Sequence, residues 1–137
     1  MADPMVVEVV AADRMVWEGE ATNVIVRTTE GDIGILPGHE PMLAALVPCA
    51  AEIVTAEGHR ELVAVDGGFL SVAQNHVSLV SAKASLYDEI SREEAQRQYD
   101  ELSARHEKGE LNDDEVHSLH LAEAQLKTAE KSTKVGH

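Results

Sequence analysis

Three of the seven histidines, His106, His117 and His120, are the side chains best placed for chemistry. His117 and His120 stand at i and i+3, a spacing that sets two imidazoles on one helix face, and neutral imidazole is a zinc ligand. No third ligand completes a known zinc signature. The chain has one cysteine, Cys49, so neither a thiolate cluster nor an internal disulfide can form. The three histidines therefore read as solvated surface groups, with no metal. Nucleophilic chemistry is no better marked: neither a Gly-x-Ser-x-Gly elbow nor a Gly-x-x-x-x-Gly-Lys phosphate loop occurs. The expectation is a non-catalytic protein without a cofactor.

The most informative segment is Glu30-Gly-Asp-Ile-Gly-Ile-Leu-Pro-Gly-His-Glu-Pro-Met42. Pro37 presets φ and Gly38 accepts positive φ, which suits a type II turn over Leu36 to His39. Gly31 and Gly34 permit close backbone approach. Asp32 and His39 would then stand on a rigid, exposed rim.

Such a rim needs a scaffold. The chain has 137 residues, 44% of them hydrophobic and only 3% aromatic, so its core must be built from Val, Leu, Ile and Ala. Few aromatics remain to line a deep pocket. The net charge of −14 argues against nucleic acid and against an anionic membrane surface, and suits a basic protein partner. The start of the chain shows no basic region followed by an apolar one, and no apolar run approaches the ~20 residues that span a bilayer. A cytoplasmic location without direct membrane insertion is expected.

The pattern divides near residue 88. Before it, runs rich in β-branched residues at 5–11, 22–29, 33–36, 51–55, 61–65, 69–73 and 77–82 read as strands, with 43–47 as a strand or one helical turn. Residues 56–59 and 74–76 read as hairpin connections, and Asp66-Gly67 as a turn with positive φ. Regularly spaced short strands predict an N-terminal antiparallel β-sandwich or barrel over 1–88, the sandwich being preferred. After residue 88 the period changes. Ser91 and Glu94 fit a capping box, Gly109 a helix stop, and Asn112 with Glu115 a second start. Residues 89–137 are thus expected to form a C-terminal antiparallel α-helical hairpin. Its apolar stripe is thin, so it must dock on the sandwich or on a partner.

Glu30-Gly-Asp-Ile-Gly-Ile-Leu-Pro-Gly-His39 closely resembles the signature loop of the epsilon subunits of bacterial F-type ATP synthases. The resemblance continues in Met15-Val-Trp-Glu-Gly19, Asp66-Gly-Gly-Phe-Leu70, Asn75-His-Val-Ser-Leu-Val80 and the helical tail, nearly the whole chain. It implies a central-stalk subunit of a proton-translocating ATP synthase, peripheral at the cytoplasmic face of the plasma membrane. The sandwich would bind the gamma subunit and the c-subunit ring, with Asp32 and His39 toward the ring and Phe69 and Leu70 toward gamma. The tail would rise toward the catalytic beta and alpha subunits and restrain ATP hydrolysis. Its cations Arg92, Arg97, Arg105, Lys108 and Lys127, with Lys131 and Lys134, would meet acidic groups there. Some members bind ATP through Ile-Asp-x-x-Arg-Ala. Here Ile90 and Ala95 match, but Ser91 replaces the Asp and Glu94 the Arg, and a glutamate repels phosphate. An ATP-sensing module is the alternative that these departures disfavour.

Overall fold

The computed structural model describes residues 3–134, with the side chains of Asp88 and of 130–134 left aside. Seven strands come first: β1 (Met5–Val10), β2 (Met15–Thr28), β3 (Gly31–Ile35), β4 (Met42–Thr55), β5 (Arg60–Ala73), β6 (His76–Val80) and β7 (Ala84–Leu86). A 3-10 turn at Tyr87–Glu89 leads into α1 (Arg92–Glu107) and α2 (Asp113–Lys134). The order β1-β6-β5-β4-β2 closes on itself because β1 also pairs with β2, while β3 hangs on β2 and β7 on β5. The sandwich is therefore a flattened barrel. One pairing departs from the antiparallel expectation: β1 runs parallel to β6. Closure requires it, since five strands in a ring cannot all be antiparallel to both neighbours.

The interior is aliphatic, as the composition demands. Val7, Val9, Val24, Ile35, Ile53 and Leu79 have no exposed surface. Trp17 packs against this cluster from its edge. Its ring lies over Gly19, where a Cβ would sit 2.8 Å from ring carbons.

Three strands run for 14 residues: β4 and β5 each replace a pair of shorter expected ones, and β2 extends the expected 22–29 back to Met15. Residues 43–47 and 51–55 are one strand through Pro48, and 61–65 and 69–73 one strand through Gly67 and Gly68. The β4–β5 ladder keeps a single register from Met42↔Val72 to Val54↔Arg60. Asp66-Gly67 thus bends a strand and does not reverse the chain. The positive φ anticipated there is present, 80° at Gly67 and 108° at Gly68. It also shifts the alternation. Val63 and Val65 point inward before the bend, Leu70 and Val72 after it. Pro48 is tolerated because it lies where the β2–β4 ladder is interrupted, between Ile25↔Glu52 and Thr28↔Leu46.

Local signals hold at most of the turns. His39 N–H donates to the Leu36 carbonyl (3.1 Å) with Gly38 at φ 84°, a type II turn. Gln74 and Asn75 both take positive φ, 51° and 60°, as a two-residue hairpin turn requires. Ser91 Oγ accepts from Glu94 N–H (3.3 Å), and Asn112 Oδ1 from Glu115 N–H (2.8 Å). Gly109, at φ 71°, closes α1.

α2 lies on β4 and β5, and α1 packs on α2. Beneath α2, Leu62 and Ala64 are buried on the outside of the barrel, with Leu119, Ala122 and Leu126 buried above them. Arg105 joins the helices through Glu115 at 2.7 Å. The Arg105 hydrogen bond, then the Asn112 N–H, hold the Glu115 carboxyl below its usual 4.5. A depressed carboxylate adds stability above its unfolded pKa and loses it as pH falls through the folded one. The hairpin pairing should thus be complete at neutral pH and weaken only below 4.5. A carboxyl NMR titration should place Glu115 below that value, and Arg105→Ala should return it upward. An unchanged midpoint in the variant would discount the ion pair.

Candidate functional site

The outer barrel face beyond the Gly67–Gly68 bend carries an apolar row. Register aligns Val10 with Val80, Val80 with Phe69, and Phe69 with Ala45. Phe69 is 58% exposed and Val80 48%. An exposed phenylalanine within a row of aliphatic groups on a sheet is a candidate interaction surface. Leu70, expected to share this role, is wholly buried in the core. This corrects the sequence reading: successive residues of a strand point to opposite sides, so Phe69 and Leu70 cannot both face a partner. Val10 and Val80 were not singled out in sequence, although each shares a strand face with a polar residue, Glu8 for Val10 and Ser78 for Val80, which marks that face as outward.

Asp32 and His39 are not on one rim. Asp32 opens β3, opposite Arg27, whose Nε donates to Oδ1 at 2.8 Å. His39 lies beyond the other end, after Ile35 pairs with Val24. About 10 Å of strand separates Asp32 from Ile35 alone, at ~3.3 Å per residue. The His39 turn is tied down from its neighbour, since Gly38 N–H donates to Asn75 Oδ1 at 2.7 Å. Leu36 and Leu43 are exposed. β3 is bonded only to β2, so the two residues mark the ends of an edge strand.

Beside Asp32, a cleft of about 580 Å³ opens between α2 and the barrel, lined by Arg27, Asp32, Cys49, His120, Glu123 and Lys127 among others. Lys127 therefore faces the barrel's own surface. Arg97 stands 3.9 Å from Glu94, Arg105 is held by Glu115, and Arg92 and Lys108 are exposed. The side chains of Lys131 and Lys134 lie outside the described residues. The histidines are dispersed: His120 lines the cleft, His106 sits in the last turn of α1, and His117 meets Asp66 of β5. Among the described residues, no three potential metal ligands converge.

At the start of α1, a hollow of about 230 Å³ is lined by Glu89, Ile90, Ser91, Glu94, Ala95 and Gln125, with Ser85 and Gln98. Ser91 Oγ is engaged in capping, and two carboxylates face the space. Arg14 donates to Glu89 at 2.9 Å and, with Leu86 N–H, holds its carboxyl below the usual range. An ionised Glu89 beside Glu94 repels a polyphosphate. The Arg14–Glu89 bond, which ties the β1–β2 connection to the helical entry, was invisible in sequence because its partners are remote.

Residues 4–86 match the family model described as ATP synthase, Delta/Epsilon chain, beta-sandwich domain. The chain is 49% identical to an ATP synthase epsilon chain of Cutibacterium acnes, over 96% of this chain and 95% of that one. It is 40% identical to the ATP synthase epsilon chain of Streptomyces coelicolor, over 94% and 98%. The fold is similar to a chain in the Euglena gracilis mitochondrial ATP synthase OSCP/F1/c-ring structure, with TM-score 0.71, 21% identity, and coverage of 100% and 84%.

Proposed function

Because this chain belongs to the epsilon-chain family of ATP synthases, we propose that it is a non-catalytic central-stalk subunit of a proton-translocating enzyme, coupling rotation by joining a gamma subunit to the c-ring. The observation that carries this reading is the Val10–Val80–Phe69–Ala45 row, an uncovered apolar strip on a closed barrel. That row binds gamma. The edge strand β3, with Asp32 at one end and His39 at the other, runs along the polar loops of the c-ring, and the net charge of −14 suits basic loops there. The subunit is peripheral, at the cytoplasmic face of the plasma membrane. Consistent with this, no described helix is long and apolar enough to cross a membrane.

The sandwich (1–88) and hairpin (89–137) act as separate units. The interior cluster of the barrel contains no residue of either helix, so the barrel persists without them. α2 rests on it through a few leucines, Leu62, Leu119 and Leu126, and otherwise through small residues, Ala64, Ala122 and Ala124, which bury little area per contact. An arm held this lightly can lift toward the catalytic subunits and block hydrolysis, with Arg92, Arg97, Arg105, Lys108 and Lys127 freed to meet acidic groups. Deleting 89–137 should leave a complex that assembles and copurifies with gamma. Its ATP hydrolysis should rise about twofold if the arm is raised half of the time, and more if longer. An assembled complex with unchanged hydrolysis would remove the inhibitory role. Failure to copurify with gamma would remove the stalk role.

A further inference from the structure

We propose that Asp66 and His117 form a pH-sensitive latch that holds α2 on the barrel. Asp66 lies on β5 directly beneath α2, with its side chain only 10% exposed. Its Oδ1 is sealed from water and accepts no well-formed hydrogen bond. What meets it is the imidazole Nε2 of His117. The Asp66 N–H is fixed by Ser81 Oγ (3.1 Å) and the Lys83 carbonyl (3.0 Å), so the carboxylate cannot turn away with its backbone.

A buried carboxylate oxygen without a hydrogen bond is costly unless a positive charge opposes it. An imidazolium supplies that charge, and a neutral imidazole does not. His117 is half exposed, so solvent protons reach it in the docked state. When α2 lifts, water returns to Asp66 and the cost disappears. The sign follows. Docking is tightest where the histidine carries its proton and looser where it is neutral.

The neighbouring charges do not supply the same dependence. Asp113 and Asp114 ride on α2 with His117, and His120 shares the cleft with Arg27 and Asp32, an opposed pair of charges already bonded to each other. Lys83 and the Glu52–Arg60 pair stay with the barrel. Arg105 and Glu115 join the helices to each other and survive lifting of the hairpin as a unit.

This inference rests on the reading of a mobile arm for its consequence, while its test reads docking in the isolated full chain. Hydrogen exchange of α2 amides, corrected for intrinsic rates, is compared at about pH 5.5 and pH 8. Protection in the parent chain should fall about fivefold toward pH 8, the upper end for a half-exposed pair. His117→Lys should keep high protection at both values, and His117→Ala low protection at both. Asp66→Asn, which removes the buried charge without changing volume, should make protection independent of pH. A parent chain with flat protection, or an Ala or Asn variant that retains the full drop, overturns the latch. Either result leaves the hydrolysis test of the deletion untouched, so the two proposals fail separately.

Discussion

A Phe69→Asp chain should fold like its parent and lose its gamma partner. Phe69 is 58% exposed, so replacing it removes little of the core. It stands between Val80 and Ala45 at the centre of the uncovered row, where an aromatic anchor carries a disproportionate share of binding. Loss of such an anchor, with a charge in its place, should cost upward of ~2 kcal/mol, or about thirtyfold in Kd. Leu70→Ala is the mirror experiment. Leu70 is completely buried, so truncation should destabilise the barrel by ~2–5 kcal/mol. The folded fraction should still bind gamma normally. Urea denaturation and titration against gamma separate the outcomes. Undiminished binding by the Asp variant would take the row out of the interface.

Gly68→Ala should be as damaging to the barrel as truncating a core leucine. Gly68 sits at φ 108°, and a Cβ there would lie 2.0 Å from the Val80 carbonyl oxygen and 2.9 Å from Ser81 Cα. These are backbone atoms of the paired chain and its exit, so no rotamer relieves the overlap. The strands must part, which loosens the Phe69↔Val80 pairing at its end. Backbone strain of ~1–3 kcal/mol and one or two lost ladder bonds of ~1 kcal/mol each sum to about 2–5 kcal/mol. That is a large share of a typical domain stability of ~5–15 kcal/mol. Gly38→Ala is the control: its φ is 84°, but nothing lies within 4 Å of the added carbon. It should cost only the ~1–2 kcal/mol of left-handed strain. Equal midpoints in urea for the two variants would contradict the close approach at Gly68.

The Gly68 case also shows how far residue types could be read. Asp66-Gly67 was correctly read for backbone angle and misread for consequence. Positive φ in a two-residue hairpin turns the chain around, as Gln74 and Asn75 do. The same angles with a continuous partner strand only bend it, and the partner β4 is contributed from elsewhere in the chain. The strand at 15–20 was overlooked for a related reason. Its exposed Glu18 and Glu20 look like loop residues until β1 pairs across from them.

Residue identity alone determined the caps at Ser91 and Asn112, the stop at Gly109, the turn at Pro37-Gly38 and the aliphatic core, because each is satisfied within a few neighbours or by hydrophobicity itself. Only the tertiary structure decided that β1 closes the ring against β6, that Phe69 rather than Leu70 faces outward, that Asp32 and His39 stand at opposite ends of β3, and that Asp66 lies beneath His117. Each of these depends on pairing between distant segments, and a strand's pattern does not carry the phase that a remote partner imposes on it.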